Sequence, residues 1–245
     1  MLWEAYHWCS TSCPTWARRS GVLYASIALG ARGRRCAAAW AEHLARARLE
    51  MSAAPGGETV VILGSGWLHD VPVELLAARY RRVLLVDAVH PAPARHAAKR
   101  HPRITLIHAD LSGVLEAQLA GVVMPTPQAV DWSRWLDRPA TLVVSDLVLS
   151  QVAMAAVDCA TRRGADPATL DPWADTIRQH HLATLPAAQH RLLLTDTIAQ
   201  SSDGRIDLVP GVALPPAHAT WTWPVVPPGE SPDGAVIHTV TAAWS

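Results

Sequence analysis

Short apolar runs alternate with helical patterns along most of the chain after residue 57. The runs are rich in valine, leucine and isoleucine and cover residues 59–63, 83–87, 104–110, 141–146 and 191–196. Continuous apolar runs separated by amphipathic segments are typical of a parallel sheet whose crossover helices cover both faces. The pattern therefore predicts an α/β fold with a Rossmann-like, mostly parallel sheet.

The two ends of the chain follow other patterns. Before the small and flexible segment 52–57, apolar residues such as Trp40, Leu44 and Ala47 recur at spacings of three and four, which predicts helix. At the other end, two β-rich segments flank a turn-rich connection and predict a C-terminal antiparallel hairpin over 219–226 and 235–244. We therefore divide the chain into an N-terminal helical extension, 1–52, and a Rossmann-like domain, 53–245.

Composition and charge narrow the classes of partner. Of the 245 residues, 50% are hydrophobic and 17% are charged, which excludes disorder and indicates an apolar surface compatible with a homo-oligomer. The net charge is zero, so no overall field attracts nucleic acid or an anionic membrane. No apolar run reaches the length of about 20 residues that a membrane span needs. We expect a cytoplasmic protein with neither nucleic acid nor membrane as partner.

Three of the four cysteines lie in the N-terminal extension, where a metal site and packed thiols are the two possible interpretations. His7, Cys9 and Cys13 offer three soft ligands and Cys36 a fourth, but a second closely spaced pair is missing. Packed, reduced thiols are the simpler interpretation, and no metal is predicted.

A glycine turn and a set of aspartates indicate a nucleotide-type ligand. Gly64-Ser65-Gly66 follows the first strand and allows close approach of a ligand to the backbone. Asp87 ends the next strand, 21 residues after Gly66, a spacing that suits a carboxylate for the two hydroxyls of a ribose. Three further strands lead to aspartates, Asp110, Asp146 and Asp196, and ligands of open α/β sheets bind at this carboxyl edge.

With these residues the sequence resembles the class I S-adenosylmethionine-dependent methyltransferases over residues 58–245. The first motif of that family would be 60–66, with Gly64, Ser65 and Gly66 as its glycine loop. The resemblance implies S-adenosylmethionine (SAM) as cofactor, with Asp87 on the ribose hydroxyls and Asp110 near the adenine amino group. It also implies that Ser145 and Asp146 lie beside the methionine part or the reacting centre. The C-terminal hairpin is likewise typical of the sheet in that family.

The first motif is degenerate. The acid that the family carries two residues before the first glycine is Ile62 here, and its third glycine is Leu68. By this resemblance the ammonium group of the methionine part lacks its usual partner, so either Asp146 or Asp196 substitutes or the site binds another ligand. A nicotinamide-type fingerprint is incomplete too, because its third glycine would be His69. Trp67 either stacks on the ligand or packs against the N-terminal helices.

Methyl transfer needs a general base only where the acceptor must lose a proton. The candidate bases are Asp146, His180 and His181. His181 shares an apolar helix face with Trp173 and Ile177, on a helix expected to open at Asp171-Pro172, so it is either catalytic or a core histidine. Trp132 and Trp135, in the long interval 111–140, either contact substrate or anchor the N-terminal helices.

The sequence thus predicts a SAM-dependent methyltransferase that acts on a small-molecule acceptor. Hydrolase and P-loop motifs are missing from the sequence. Three alternatives stay open. The chain could be a catalytically silent protein that binds SAM or S-adenosylhomocysteine (SAH) or serves as a scaffold, a NAD(P)-dependent oxidoreductase, or a transferase of the aminocarboxypropyl group.

Overall fold

Buried β-branched and leucine side chains form the centre of one large sheet. The computed structural model describes residues 2–245. Its strands are β1 (Gly57–Leu63), β2 (Tyr80–Asp87), β3 (Ile104–His108), β4 (Ala140–Asp146), β5 (Ala188–Ser201), β6 (Gly204–Asp207), β7 (Ala219–Val226) and β8 (Val236–Trp244). Val60, Ile62 and Leu63 of β1 are fully buried, as expected for a central strand covered on both faces.

The strand order is β3-β2-β1-β4-β5-β8-β7, with β6 paired to the end of β5. The first five strands in this order are parallel, whereas β8 lies antiparallel between β5 and β7. The predicted α/β fold and the C-terminal hairpin are confirmed. From β1 the chain adds β2 and β3 on one side and β4 and β5 on the other. The carboxyl ends of β1, β2 and β4 therefore meet at one edge of the sheet, at the point where the direction of strand addition changes.

The helices are α1 (Leu2–Ser10), α2 (Thr15–Arg19), α3 (Val22–Arg35), α4 (Ala37–Ala53), α5 (Val73–Arg79), α6 (Ala92–Arg100), α7 (Leu115–Leu119), α8 (Met154–Arg162) and α9 (Pro167–Ala183). The expected start of α9 at Asp171 is wrong, because Asp166 caps it by accepting a hydrogen bond from the Ala168 amide at 3.0 Å. Within residues 2–245, none of the helices has both the length and the apolar character of a membrane span.

The N-terminal helices lie against the carboxyl edge of the sheet. Trp16, Leu23 and Ile27 of α2 and α3 share a buried cluster with Val89 and Val114, which follow β2 and β3. Residues of α4 belong instead to the main core, and the Trp40 indole donates to the Pro224 carbonyl at 3.0 Å. The extension thus covers the loops that follow the strands and contributes to the core of the sheet domain.

Trp132 and Trp135 pack on the opposite face of the sheet from α4. They belong to the periphery of the cluster around Val61 and Val143, and the Trp132 indole donates to the Thr184 carbonyl at 3.0 Å. Their packing therefore anchors the long loop before β4 to the sheet, and the alternative that they hold the N-terminal helices is wrong.

Candidate functional site

The turn after β1 requires glycine at two positions. Gly64 and Gly66 have φ angles of +87° and +40°, in the region that glycine adopts without strain. A Cβ on Gly64 would lie 2.6 Å from the Asp146 carbonyl oxygen, so the turn passes directly against the end of β4. Ser65 between them is buried, and its hydroxyl has no hydrogen-bond partner among residues 2–245.

Asp87 holds the other side of this turn. Its Oδ2 accepts a hydrogen bond from the Gly66 amide at 2.8 Å, and its Oδ1 accepts one from the Val89 amide at 3.0 Å. Each carboxylate oxygen has a second lone pair, so both can still accept a hydrogen bond from a ligand. Burial raises the pKa of Asp87 above its usual value, although these amide donors oppose the rise.

Asp146 is the most unusual side chain of the site. It is 3% exposed, and neither of its carboxylate oxygens accepts a hydrogen bond from an N–H or hydroxyl donor within the described chain. Its neighbour is the carboxyl group of Asp70, in the loop between β1 and α5. Burial, and then the charge of Asp70, raise the pKa of Asp146 well above its ordinary value.

Asp70 is a site residue that the sequence analysis missed. Its position three residues before α5 is typical of a helix start, and only the path of the 64–72 loop brings it beside Asp146 at the end of β4. Burial raises the pKa of Asp70 also, while the Arg48 guanidinium of α4 opposes the rise. The three carboxyl groups of Asp70, Asp87 and Asp146 therefore surround the glycine turn with an excess of negative charge.

Asp110 follows β3 and organises its own loop. Its Oδ1 accepts hydrogen bonds from the amide and hydroxyl of Ser112 at 3.0 and 2.5 Å, and its Oδ2 accepts one from the Leu115 amide at 2.7 Å. One lone pair of Oδ2 is left for a ligand. The residue also lines a cleft of about 440 Å³ together with Gln128 and Trp135.

Ser145 and His181 form a buried pair on the other face of β4. The Ser145 hydroxyl lies 3.0 Å from His181 Nε2, and both residues are almost fully buried. Burial lowers the pKa of His181 to about 4, so the imidazole is neutral. The sequence left open whether His181 is catalytic or a core histidine, and these features favour the core histidine.

Asp196, the other candidate substitute for the missing acid, is engaged by two partners, whereas Asp146 has none among residues 2–245. Its Oδ1 accepts a hydrogen bond from the Ser150 hydroxyl, in the loop after β4, and its Oδ2 lies 2.7 Å from His238 Nδ1 on β8. The His238 side chain is 16% exposed, and its Nε2, which makes no hydrogen bond within residues 2–245, reaches solvent. His238 was not predictable as a site residue, because it lies far from Asp196 in the chain and only the pairing of β5 with β8 brings the two together.

Trp67 packs against the N-terminal helices. Its indole donates to the Ser26 carbonyl at 2.7 Å and stacks on the Trp3 ring, with 5.2 Å between centroids. A Cβ on Gly30 of α3 would lie 2.3 Å from the Trp67 ring, so glycine is required for this contact. The packing interpretation of Trp67 therefore describes the structure, and the glycine loop is fixed to α1 and α3.

No group of three or more metal-binding side chains occurs among residues 2–245, and the four cysteines are free, with Cys36 and Cys159 buried.

Comparisons with known proteins give structural neighbours of low similarity. No protein-family model matches the chain, and no curated protein is similar to it in sequence. Among solved structures, DhpI in complex with SAM and HEP is 16% identical, covers 94% of this chain and 99% of its own, and has a TM-score of 0.38. A SAM-dependent methyltransferase of Leishmania major is 13% identical over 98% of this chain and 81% of its own, with a TM-score of 0.38.

An rRNA methylase of Streptococcus thermophilus is 10% identical over 80% of this chain and 94% of its own, with a TM-score of 0.36. Because all these identities and TM-scores are low, the neighbours establish neither the activity nor the acceptor of this chain.

Proposed function

We propose that this chain binds S-adenosylmethionine at the carboxyl ends of β1, β2 and β4 and transfers its methyl group to a small-molecule acceptor. The observation that carries the proposal is the buried Asp146 carboxylate, which faces Asp70 and lacks any donor within residues 2–245. A buried carboxylate without a partner is costly, and a cationic ligand removes that cost. SAM carries a sulfonium and an ammonium group close together.

The residues present also fit the other parts of the cofactor. Asp87 keeps free lone pairs for the ribose hydroxyls, and Asp110 keeps one for the adenine amino group. Gly64 and Gly66 allow the ligand to approach the backbone, and the unpaired hydroxyl of Ser65 offers a further polar contact.

When bound, SAM supplies an activated methyl group, so the chain has to orient the acceptor and exclude water. The N-terminal helices α2 and α3 cover the loops that follow β2, β3 and β4, which supports a small and enclosed acceptor rather than a nucleic acid. For an acceptor that must lose a proton, we propose His238 as the base, held by Asp196, because its Nε2 is free.

The site disfavours a nicotinamide dinucleotide. The pyrophosphate of such a ligand needs the first turn of a helix directly after the glycine turn. Here α5 begins at Val73, seven residues beyond Gly66, and carboxyl groups surround the turn.

A catalytically silent SAM- or SAH-binding protein remains the second candidate. It is favoured by one observation, that Leu68 replaces the third glycine of the loop while adopting a left-handed φ of +58°. This departure adds a side chain beside the loop.

Calorimetric titration of the full chain with SAM, SAH and NAD tests the proposal. We expect micromolar binding of the two sulfur ligands and none of NAD, and at least tenfold weaker binding after Asp87→Ala. Asp203→Ala, in the exposed β5–β6 turn, is the matched control and should leave all affinities unchanged. Transfer of labelled methyl groups to a panel of small acceptors separates an enzyme from a silent binder. Binding of NAD alone, or of none of the three, would refute the proposal.

A further inference from the structure

Two carboxyl groups meet in the site without any cation between them. Asp146 ends β4, is 3% exposed and finds no N–H or hydroxyl donor among residues 2–245. The carboxyl group of Asp70 is the neighbour whose charge acts most strongly on it. Two neighbouring carboxyl groups repel each other when both are ionised, so a proton on one of them is favoured.

The groups around this pair do not neutralise it. Arg48 of α4 acts on Asp70, but its guanidinium is exposed and donates to the His69 carbonyl. Asp87 of β2 adds a further negative charge on the Asp146 side. His69, next to Asp70 in the chain, has its pKa lowered by burial and then by Arg48, so it supplies no positive charge. A proton shared by the two carboxyl groups therefore relieves a repulsion that the surrounding side chains leave uncompensated.

The pair lies at the point where the ammonium partner is needed. The position at which the resemblance expects an acid holds Ile62, which is fully buried in the core. Asp146 follows the end of β4 and touches the glycine turn at Gly64, whereas Asp87 touches the same turn at Gly66. A ligand whose ribose is held by Asp87 can therefore reach Asp70 and Asp146 across the turn.

We propose that Asp70 and Asp146 together bind the primary ammonium group of the ligand, and that this group displaces the shared proton into solvent. The inference rests on the proposed function and adds a coupling to it, since ligands with an ammonium group release a proton on binding and ligands without one do not. The O–H bond of the protonated carboxyl group breaks, its electron pair stays on the carboxylate, and the proton passes to the buffer. Affinity for ammonium ligands therefore rises with pH until the pair has lost its proton, and falls again only where the ligand's ammonium group loses its own proton.

Calorimetry of the full chain with two ligands tests the coupling. SAH carries the ammonium group, and 5′-methylthioadenosine keeps the adenosine and the sulfur but lacks it. Each is titrated at several pH values in two buffers of different ionisation enthalpy, which reports the protons released. We expect SAH to release protons, in an amount that falls toward zero as pH rises and the pair loses its own proton, and 5′-methylthioadenosine to release none at any pH.

Variants of the pair give the second readout. Asp70→Asn and Asp146→Asn should each weaken SAH at least tenfold, abolish the proton release and leave the affinity for 5′-methylthioadenosine within twofold. Asp203→Asn, on the exposed β5–β6 turn, should change neither ligand. Circular dichroism verifies the fold of each variant.

Two results would overturn the inference while sparing the proposed function. They are SAH binding without proton release at any pH, and an equal loss of both ligands in the variants. If wild-type protein binds neither ligand, the proposed function and the inference are both refuted.

Discussion

Replacing Leu68 tests whether the degenerate glycine loop keeps the backbone shape of a glycine-rich turn. Leu68 has a φ of +58°, and its amide donates to the Ser65 carbonyl at 3.0 Å, closing the turn that carries Gly66. A residue with a Cβ is strained in this left-handed region by about 1–2 kcal/mol, and glycine is not. We compare Leu68→Gly with Leu68→Ala, because both variants lose the packing of the leucine side chain against the core.

The difference between these two variants isolates the backbone. Glycine relieves the strain of about 1–2 kcal/mol but makes the unfolded chain more flexible, which costs about 0.4–1 kcal/mol relative to alanine. Leu68→Gly should therefore have the larger free energy of unfolding, by about 0.8 kcal/mol at the middle of these ranges. For a domain of this size the difference corresponds to about 1–4 °C in Tm.

Urea unfolding followed by circular dichroism measures both variants. Leu75 of α5 provides the matched control, because it is helical and 38% exposed, and there the alanine variant should be the more stable by about 0.5–1 kcal/mol. If alanine were also the more stable at position 68, the left-handed turn would be refuted.

Three further perturbations test other parts of the structure. Gly30→Ala should destabilise the protein, because a Cβ there meets the Trp67 ring. In a Trp67→Ala background the same change should instead stabilise α3 by about 0.5–1 kcal/mol. Thermal unfolding of the wild type, the two single variants and the double variant compares the two effects, and an equal effect in both backgrounds would contradict the contact. Ser150→Ala removes a hydrogen-bond donor to Asp196 and should lower the free energy of unfolding by about 1.5–3 kcal/mol, measured in urea. An unchanged free energy of unfolding would show that the Ser150–Asp196 hydrogen bond is not formed. Burial lowers the pKa of three imidazoles, those of His43, His90 and His181, to about 4. NMR titration of the imidazole protons should therefore find each of them neutral well below pH 6.5, and titration at the ordinary histidine value would contradict their burial.

The sheet was predictable because most of its strands are marked by apolar residues in the sequence. Five continuous apolar runs predicted the parallel strands, and the alternating pattern over 219–226 predicted the hairpin. The short strand β6 was missed, since Gly204–Asp207 is largely exposed and has no apolar run. The length of β5 was missed for a related reason, because its second half pairs with β6 and β8 and is only partly buried.

The candidate site was predictable where a residue's position along a strand determines its place. Asp87 and Asp146 follow strand ends, so the parallel sheet brings them to one edge. Asp70 and His238 were not predictable in the same way, because the first depends on the path of the 64–72 loop and the second on pairing between β5 and β8. The role of Trp67 was ambiguous from sequence, since stacking on a ligand and packing on a helix both favour a tryptophan.

A crystal structure of the full chain with SAH tests the central claim most directly. The account predicts the ribose hydroxyls within hydrogen-bond distance of Asp87 and the ammonium group between the carboxyl groups of Asp70 and Asp146, with the turn at Gly64 and Gly66 against the ligand. A ligand bound elsewhere, for example wholly within the cleft beside Asp110, or one whose ammonium group points away from Asp146, would contradict it.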